Sequence, residues 1–279
     1  MKFLKRIQNK MRQFVSSKMP TSDGRLNING KDYKYLRQVL RLQKGQVLDV
    51  RLPSGELTKM QVEQITTSSL CLCLIHNEVL SNKTTETGVS ASELENSTKQ
   101  STNIWLLQFI TKPQNMDLIV RQATEAGISV IVPVKSMRSQ KNDAANRMER
   151  WNRIIREARQ QSGSPIPTKI VEPCTLQQAI ELWNTNKKDN YCSIVLYEEI
   201  EGSKTIHESI IAQKEKKQYF DIASLVVGCE GGIAPEELEE LKSNDFYPVH
   251  FNTNILKAET AAIYGISALH TILAEHNIC

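Results

Sequence analysis

The sequence predicts an α/β domain with a mainly parallel sheet, preceded by a smaller β-rich module. Three observations lead there. From residue 103 onward, short apolar runs alternate with amphipathic helical segments, the pattern of strands covered by helices. Before residue 80 the runs alternate polar and apolar and are broken by turn residues. Between them lies "SNKTTETGVSASELENSTKQST", rich in Ser, Thr, Glu and Asn and nearly empty of large apolar side chains. Such a stretch buries too little to fold, so residues 81–102 are expected to be a flexible linker between domains at 1–80 and 103–279.

In the first module "MRQFV" reads as a strand start after a basic ten-residue tail. "DYKYLRQVLRL" places Tyr35, Leu36, Val39 and Leu40 at helical spacing. "GQVLDVRL", a "PSG" turn, "ELTKMQVEQIT" and "SLCLCLIHN" follow as strands, giving a small barrel-like module with one helix. Cys71 and Cys73 share one strand face and are expected in the core.

In the second domain "IWLLQFI" is continuously apolar, as in a strand buried on both faces. "MDLIVRQATEAG" is a helix stopped by Gly127, and "ISVIVPV" is a strand. "RMERWNRIIREARQQSG" is a helix whose inner face is Trp151, Ile154, Ile155, Ala158 and Ser162. "CSIVLY" and "SLVVGC" are buried strands, "PEELEEL" a helix, "YPVHF" a strand and "AETAAIYGISALHTILAEH" a closing helix.

The 279 residues are 40% hydrophobic and 24% charged, which is ordinary globular composition. No apolar run approaches the roughly 18–20 residues of a membrane span, and no secretory signal pattern opens the chain. Six cysteines without a CxxC pair read as reduced thiols of a cytoplasmic protein, and five scattered histidines suggest no metal site. The net charge of +4 is unevenly spread. Residues 1–80 hold 14 Lys and Arg against 6 Asp and Glu; the remainder holds 21 against 25. A basic first module suits either a polyanion partner or a solvated surface.

The chemistry gathers where "LVVGCEGGIAPEELEEL" leaves a buried strand. Ligands of open α/β sheets settle beyond the carboxyl ends of the strands, and glycine lets backbone approach them closely. The spacing GxxGG is neither a P-loop, which needs GxxxxGK[ST], nor a GxGxxG fingerprint. A turn shaped only for packing stays open. Glu230 would disfavour phosphate and suit a cationic or hydroxyl-bearing ligand. A second loop, "NTNILKAETAA", presents Lys257, Glu259 and Thr260 at the last helix, as chemistry or as a cap. A third feature is the basic run at 135–159, with eight Lys and Arg against three Asp and Glu, readable as a solvated face or an RNA contact.

Taken in order, five segments resemble the RsmE-type 16S rRNA (uridine-N3)-methyltransferases of the knotted SPOUT superfamily. They are "KDYKYLRQVLRLQKGQVLDV", "MDLIVRQATEAGISVIVPVKSMRS", "RWNRIIREARQQSGSPIPTKI", "VGCEGGIAPEE" and "ILKAETAA". The resemblance implies a PUA-like barrel, then a deep trefoil knot that wraps S-adenosylmethionine. Gly228, Glu230, Gly231 and Gly232 would line that cofactor site, with Ile255, Leu256 and Thr260, and with Leu196 and Tyr197 on the neighbouring strand end. It implies methyl transfer to uracil N3, with Glu259 as base and Lys257 as electrostatic stabiliser. Arg41, Arg138, Arg153 and Arg156 would contact RNA phosphates of the small ribosomal subunit, and the family implies a homodimer.

The sequence departs from the family at basic positions. Asn115, Gln122, Ser164 and Asn254 stand where relatives carry basic residues, Lys257 replaces Arg, Cys229 replaces Pro and Tyr35 replaces a common His. The cofactor loop is better kept than the RNA-facing set. Two alternatives therefore remain: a non-catalytic ribosome assembly factor with this fold, and a methyltransferase for another RNA nucleotide.

Overall fold

A computed structural model describes residues 13–75, 102–138, 147–199, 201–214 and 219–276. The basic tail and, Thr102 apart, the linker lie outside these described residues. The described chain forms two compact units, residues up to 75 with 159–167, and 102–158 with 168–276.

The first unit is one five-stranded sheet. β1 is Phe14–Val15 and β2 Arg25–Asn29; then come a short helix α1, Gly30–Lys34, and a π-helical turn, Tyr35–Val39. β3 (Val47–Arg51), β4 (Leu57–Ile65) and β5 (Ser69–Leu74) complete it in the order β1-β3-β4-β5-β2. Pairing is antiparallel except between β1 and β3. Period-two alternation buries Leu26 and Ile28 on β2 and Leu70 and Leu72 on β5, against Phe14, Leu36, Val50 and Met60. That register corrects one expectation. Cys71 and Cys73 do share a face, but the outer one, where the Cys71 Sγ lies 3.6 Å from Glu63 Oε2. Burial first, and Glu63 next, push the Cys71 thiol up from its ordinary value.

The second unit begins with β6 (Asn103–Phe109), helix α2 (Pro113–Glu125) and β7 (Val130–Lys135). Helix α3 (Met148–Ser162), β8 (Lys169–Ile170), β9 (Cys174–Thr175) and α4 (Leu176–Asn186) follow. Then come β10 (Tyr191–Leu196), β11 (Lys204–Thr205), α5 (Ile206–Lys214) and β12 (Ile222–Val227). Helix α6 (Pro235–Lys242), β13 (Tyr247–His250) and α7 (Ala258–His276) close the described chain. The sheet order is β11-β13-β10-β12-β6-β7-β8, with β9 also on β7, and every pairing is parallel.

Both faces are covered, which is why the central strands read as unbroken apolar runs. One face packs Ile104, Leu106 and Leu225 against Trp151, Ile154 and Ile155 of α3 and Ile266 and Leu269 of α7. The other packs Trp105, Leu107 and Val226 against Trp183 of α4 and Leu238 and Leu241 of α6. Trp105 and Trp183 meet edge to face at 5.6 Å, and Trp183 Nε1 donates to Ser193 Oγ at 3.1 Å. The inner face of α3 is as expected at Trp151, Ile154, Ile155 and Ala158, but Ser162 is exposed and Arg159 is buried.

Candidate functional site

β12 stops at Val227, and the glycines lie beyond its carboxyl end. Gly232 N donates to Cys229 O at 2.9 Å, closing a four-residue turn around Glu230 and Gly231. Gly228 has no space for a side chain: a Cβ there would sit 3.0 Å from the carbonyl carbon of Gly232 and 3.1 Å from Ile233. Gly232 has φ +72, a left-handed conformation that favours glycine, and packs on the Glu198 carboxylate.

Four side chains, one of them the turn's own Glu230, tie this turn and its flanks to neighbouring segments. Gln108 of β6, fully buried, donates from Nε2 to Phe109 O at 2.9 Å and to Gly228 O at 3.1 Å. Its Oε1 is buried without a partner. Glu230 Oε1 accepts from Lys112 N and from Asn115 Nδ2, each at 2.9 Å, so the turn carries the acid that caps α2. Arg138 Nη1 donates to Gly231 O at 2.9 Å and to Ile233 O at 3.3 Å. Glu237, 5% exposed, accepts from Ala234 N at 2.9 Å and from Met137 N at 2.8 Å. Alanine at 234 has no side-chain acceptor, so only the glutamate half of a capping box is made there.

These elements enclose a cleft of about 660 Å³. Leu196 and Tyr197 line it from the end of β10, Gly228, Glu230, Gly231 and Gly232 from the turn, and Ile255, Leu256, Lys257 and Glu259 from the approach to α7. All the expected cofactor-site residues thus converge except Thr260, which is exposed in the first turn of α7 and outside the lining. Glu259 is half-buried, and its Oε2 is covered without a hydrogen-bond partner. Burial first, then the Glu199 and Glu198 carboxylates, push the Tyr197 phenol up, so it remains a neutral donor at pH 7.

The expected RNA contacts fall on both units. Arg138 is spent on the glycine turn. Arg153 is exposed and Arg156 half-buried on α3, and Arg41 is exposed in the first unit with φ 55. The sequence reading missed Gln108, Glu198 and the tie from Glu237 to Met137 N. A glutamine inside "IWLLQFI" was the available signal for the first, since a buried amide needs a specific reason. Nothing in spacing announced Glu198 or the reach of Glu237 to Met137. Among the described residues, no group of three His, Cys, Asp or Glu side chains is placed to hold a metal.

The family model for the RNA methyltransferase domain matches residues 98–270. Ribosomal RNA small subunit methyltransferase E of Aquifex aeolicus is 37% identical over 170 residues, covering 60% of this chain and 68% of the relative. Ribosomal RNA small subunit methyltransferase E 2 of Borreliella burgdorferi is 26% identical over 257 residues, covering 89% and 92%. A crystal structure of ribosomal RNA small subunit methyltransferase E from Neisseria gonorrhoeae, bound to S-adenosyl methionine, superposes with a TM-score of 0.74 at 19% identity, covering 94% of this chain and 98% of that one.

Proposed function

The chain belongs to the RNA methyltransferase family, in the branch of ribosomal RNA small subunit methyltransferase E, and from that premise we propose that it methylates uracil N3 of a uridine in small-subunit ribosomal RNA. The observation that carries this reading is the glycine-walled cleft. Its volume falls within the roughly 300–1,000 Å³ of small-molecule sites, and the cradle at Gly228 would be filled by any Cβ. Bare main chain of the turn, apolar Leu196 and Leu256, and the carboxylates of Glu198 and Glu230 fit S-adenosylmethionine, which unites an adenine ring, ribose hydroxyls and a cation. When bound there, S-adenosylmethionine supplies a methyl group on sulfonium sulfur.

The chain's own residues do the rest. Gln108 and Arg138 hold the carbonyls of the turn that forms the cofactor wall. Positioning then supplies much of the rate. Glu259, with one covered and unpartnered oxygen at the cleft, is the base for uracil N3–H. Lys257 stabilises charge as it develops on the uracil ring. N3 lies on the pairing edge, so the target must be unpaired when it enters.

The first unit serves as a PUA-like RNA-binding domain ahead of a methyltransferase domain at 103–279, with exposed Arg41 and Arg153 and half-buried Arg156 as phosphate contacts. A trefoil knot in the second domain is supported by the sheet order, in which β12 lies between β6 and β10 and α7 then returns to pack on Leu225. We infer a homodimer in the cytoplasm from the same kinship. The test is primer extension across small-subunit rRNA from cells lacking this protein. A methyl on N3 stops the polymerase, so one stop is expected to disappear; an unchanged stop pattern would remove uridine-N3 of this RNA as the target.

A further inference from the structure

The first unit contains two buried arginines that the cleft does not use. Arg51, in β3, is 8% exposed, and Arg159, in the last turn of α3, is 7% exposed. Each nitrogen of Arg51 makes a bond: Nε donates to Gln13 Oε1 at 2.8 Å, Nη1 to Gly55 O at 2.8 Å and Nη2 to Gly163 O at 3.3 Å. Gln13 in turn donates from Nε2 to Arg159 O at 2.8 Å. The Arg159 guanidinium is not satisfied. Its Nε and Nη2 are buried without a hydrogen-bond partner.

Those two nitrogens form one side edge of the guanidinium, with parallel N–H groups spaced to grip two oxygens of a single oxyanion. Among the described residues neither arginine makes an ion pair. Asp49 acts on Arg51 only through space. A lysine could shed its proton in such a place; a guanidinium cannot at neutral pH. The carboxyl end of α3 offers only about half a negative charge against two positive ones. Burial holds both groups below the ordinary arginine range, and Arg51 adds to this at Arg159. The protein has built a fork for an anion and supplies none from its own described side chains.

We propose that the side edge of Arg159, braced by Arg51 and Gln13, is an oxyanion site that takes one phosphodiester group of the RNA substrate. This assignment of the ligand rests on the RNA methyltransferase reading. It is a contact that fixes register rather than reading sequence.

The test uses the full chain and two variants, Arg159→Gln and Arg159→Lys. The first readout is melting temperature in phosphate-free buffer, with inorganic phosphate added against chloride at equal ionic strength. The wild type is expected to be stabilised by phosphate. Arg159→Gln, which removes an unpaired buried charge, is expected to melt no lower without phosphate and not to respond to it. The second readout is binding of a labelled single-stranded RNA oligonucleotide across KCl concentrations. Arg159→Gln is expected to reduce the slope of log K against log salt by about 0.7, the value for one lost phosphate contact on a single strand. S-adenosylmethionine affinity is expected to stay unchanged. Arg159→Lys keeps the charge but loses the fork, so the slope should return while RNA affinity stays below wild type, and this variant carries the test if the glutamine chain misfolds. A phosphate response that survives in Arg159→Gln, or an unchanged RNA slope, would overturn the site. A phosphate response through Arg159 in a protein that binds no RNA would keep the oxyanion fork, and would remove its RNA assignment together with the reading beneath it.

Discussion

Glu230 and Asn115 are joined across 115 residues of sequence. The Glu230 carboxylate takes Asn115 Nδ2 and the Lys112 main-chain N–H on one oxygen, each at 2.9 Å. The glycine turn and the start of α2 are thus tied together. Asn115 has an assigned partner here.

This predicts that Glu230→Ala costs about 1 kcal/mol, the usual value of a lost helix cap, and Asn115→Ala less. The double variant should cost less than the two combined, because they share a bond. Urea denaturation of the four proteins measures the coupling. S-adenosylmethionine affinity should fall with Glu230→Ala even where the fold survives.

Gly228→Ala places a methyl group about 3 Å from the main chain of Gly232 and against Ile233. The neighbour is backbone and cannot rotate away. Calorimetry is expected to show S-adenosylmethionine affinity reduced by at least tenfold, on the order of 1.4 kcal/mol. Gly55→Ala, strained in the other unit at φ +93, should lower the melting temperature and leave that affinity unchanged.

Glu259→Gln keeps the shape of the side chain and removes its basicity. Single-turnover methylation should slow by roughly 10²–10⁴-fold, the range for a lost general base, with cofactor affinity nearly intact. Lys257→Met should likewise act on rate more than on cofactor binding. Equal losses in rate and affinity for Glu259→Gln would place it in binding instead.

His270 gives a pH dependence. It is half-buried on α7 with Nε2 covered and unpartnered, and burial lowers its pKa from the ordinary 6.5, only partly offset by a hydrogen bond with the Ala126 backbone. The folded state therefore favours neutral imidazole. Its contribution to stability is present above about pH 6.5 and is lost as pH falls through that value towards the lower folded one. Melting temperatures from pH 7.5 to 5 should drop less steeply for His270→Gln than for the wild type.

Much of this was legible in the sequence, for physical reasons. Strands buried on both faces have to be apolar throughout, so β6, β7, β10 and β12 were visible as runs, and the helices between them as 3.6-residue stripes. The glycine turn was visible because close backbone approach excludes side chains. What stayed hidden needed the third dimension. The short β8, β9 and β11 have two residues each and carry no period. The side of the sheet facing the core cannot be read from alternation alone, so Cys71 and Cys73 were placed inward when Leu70 and Leu72 are. Arg159 looked like one more charge on a basic helix, because spacing cannot tell a solvated arginine from a buried one. Gln108 and Glu198 act on a turn distant in sequence, and Glu237 reaches Met137 N a hundred residues away; pairing over such separations leaves no local mark.

The central claim is that the cleft between the glycine turn and residues 252–257 holds S-adenosylmethionine. A crystal of the full chain grown with saturating S-adenosylmethionine measures this directly. Density for the whole molecule is expected against Gly228, Gly231 and Gly232, with Leu196 and Leu256 on the adenine. Density at another site, or an empty cleft at saturation, would contradict it.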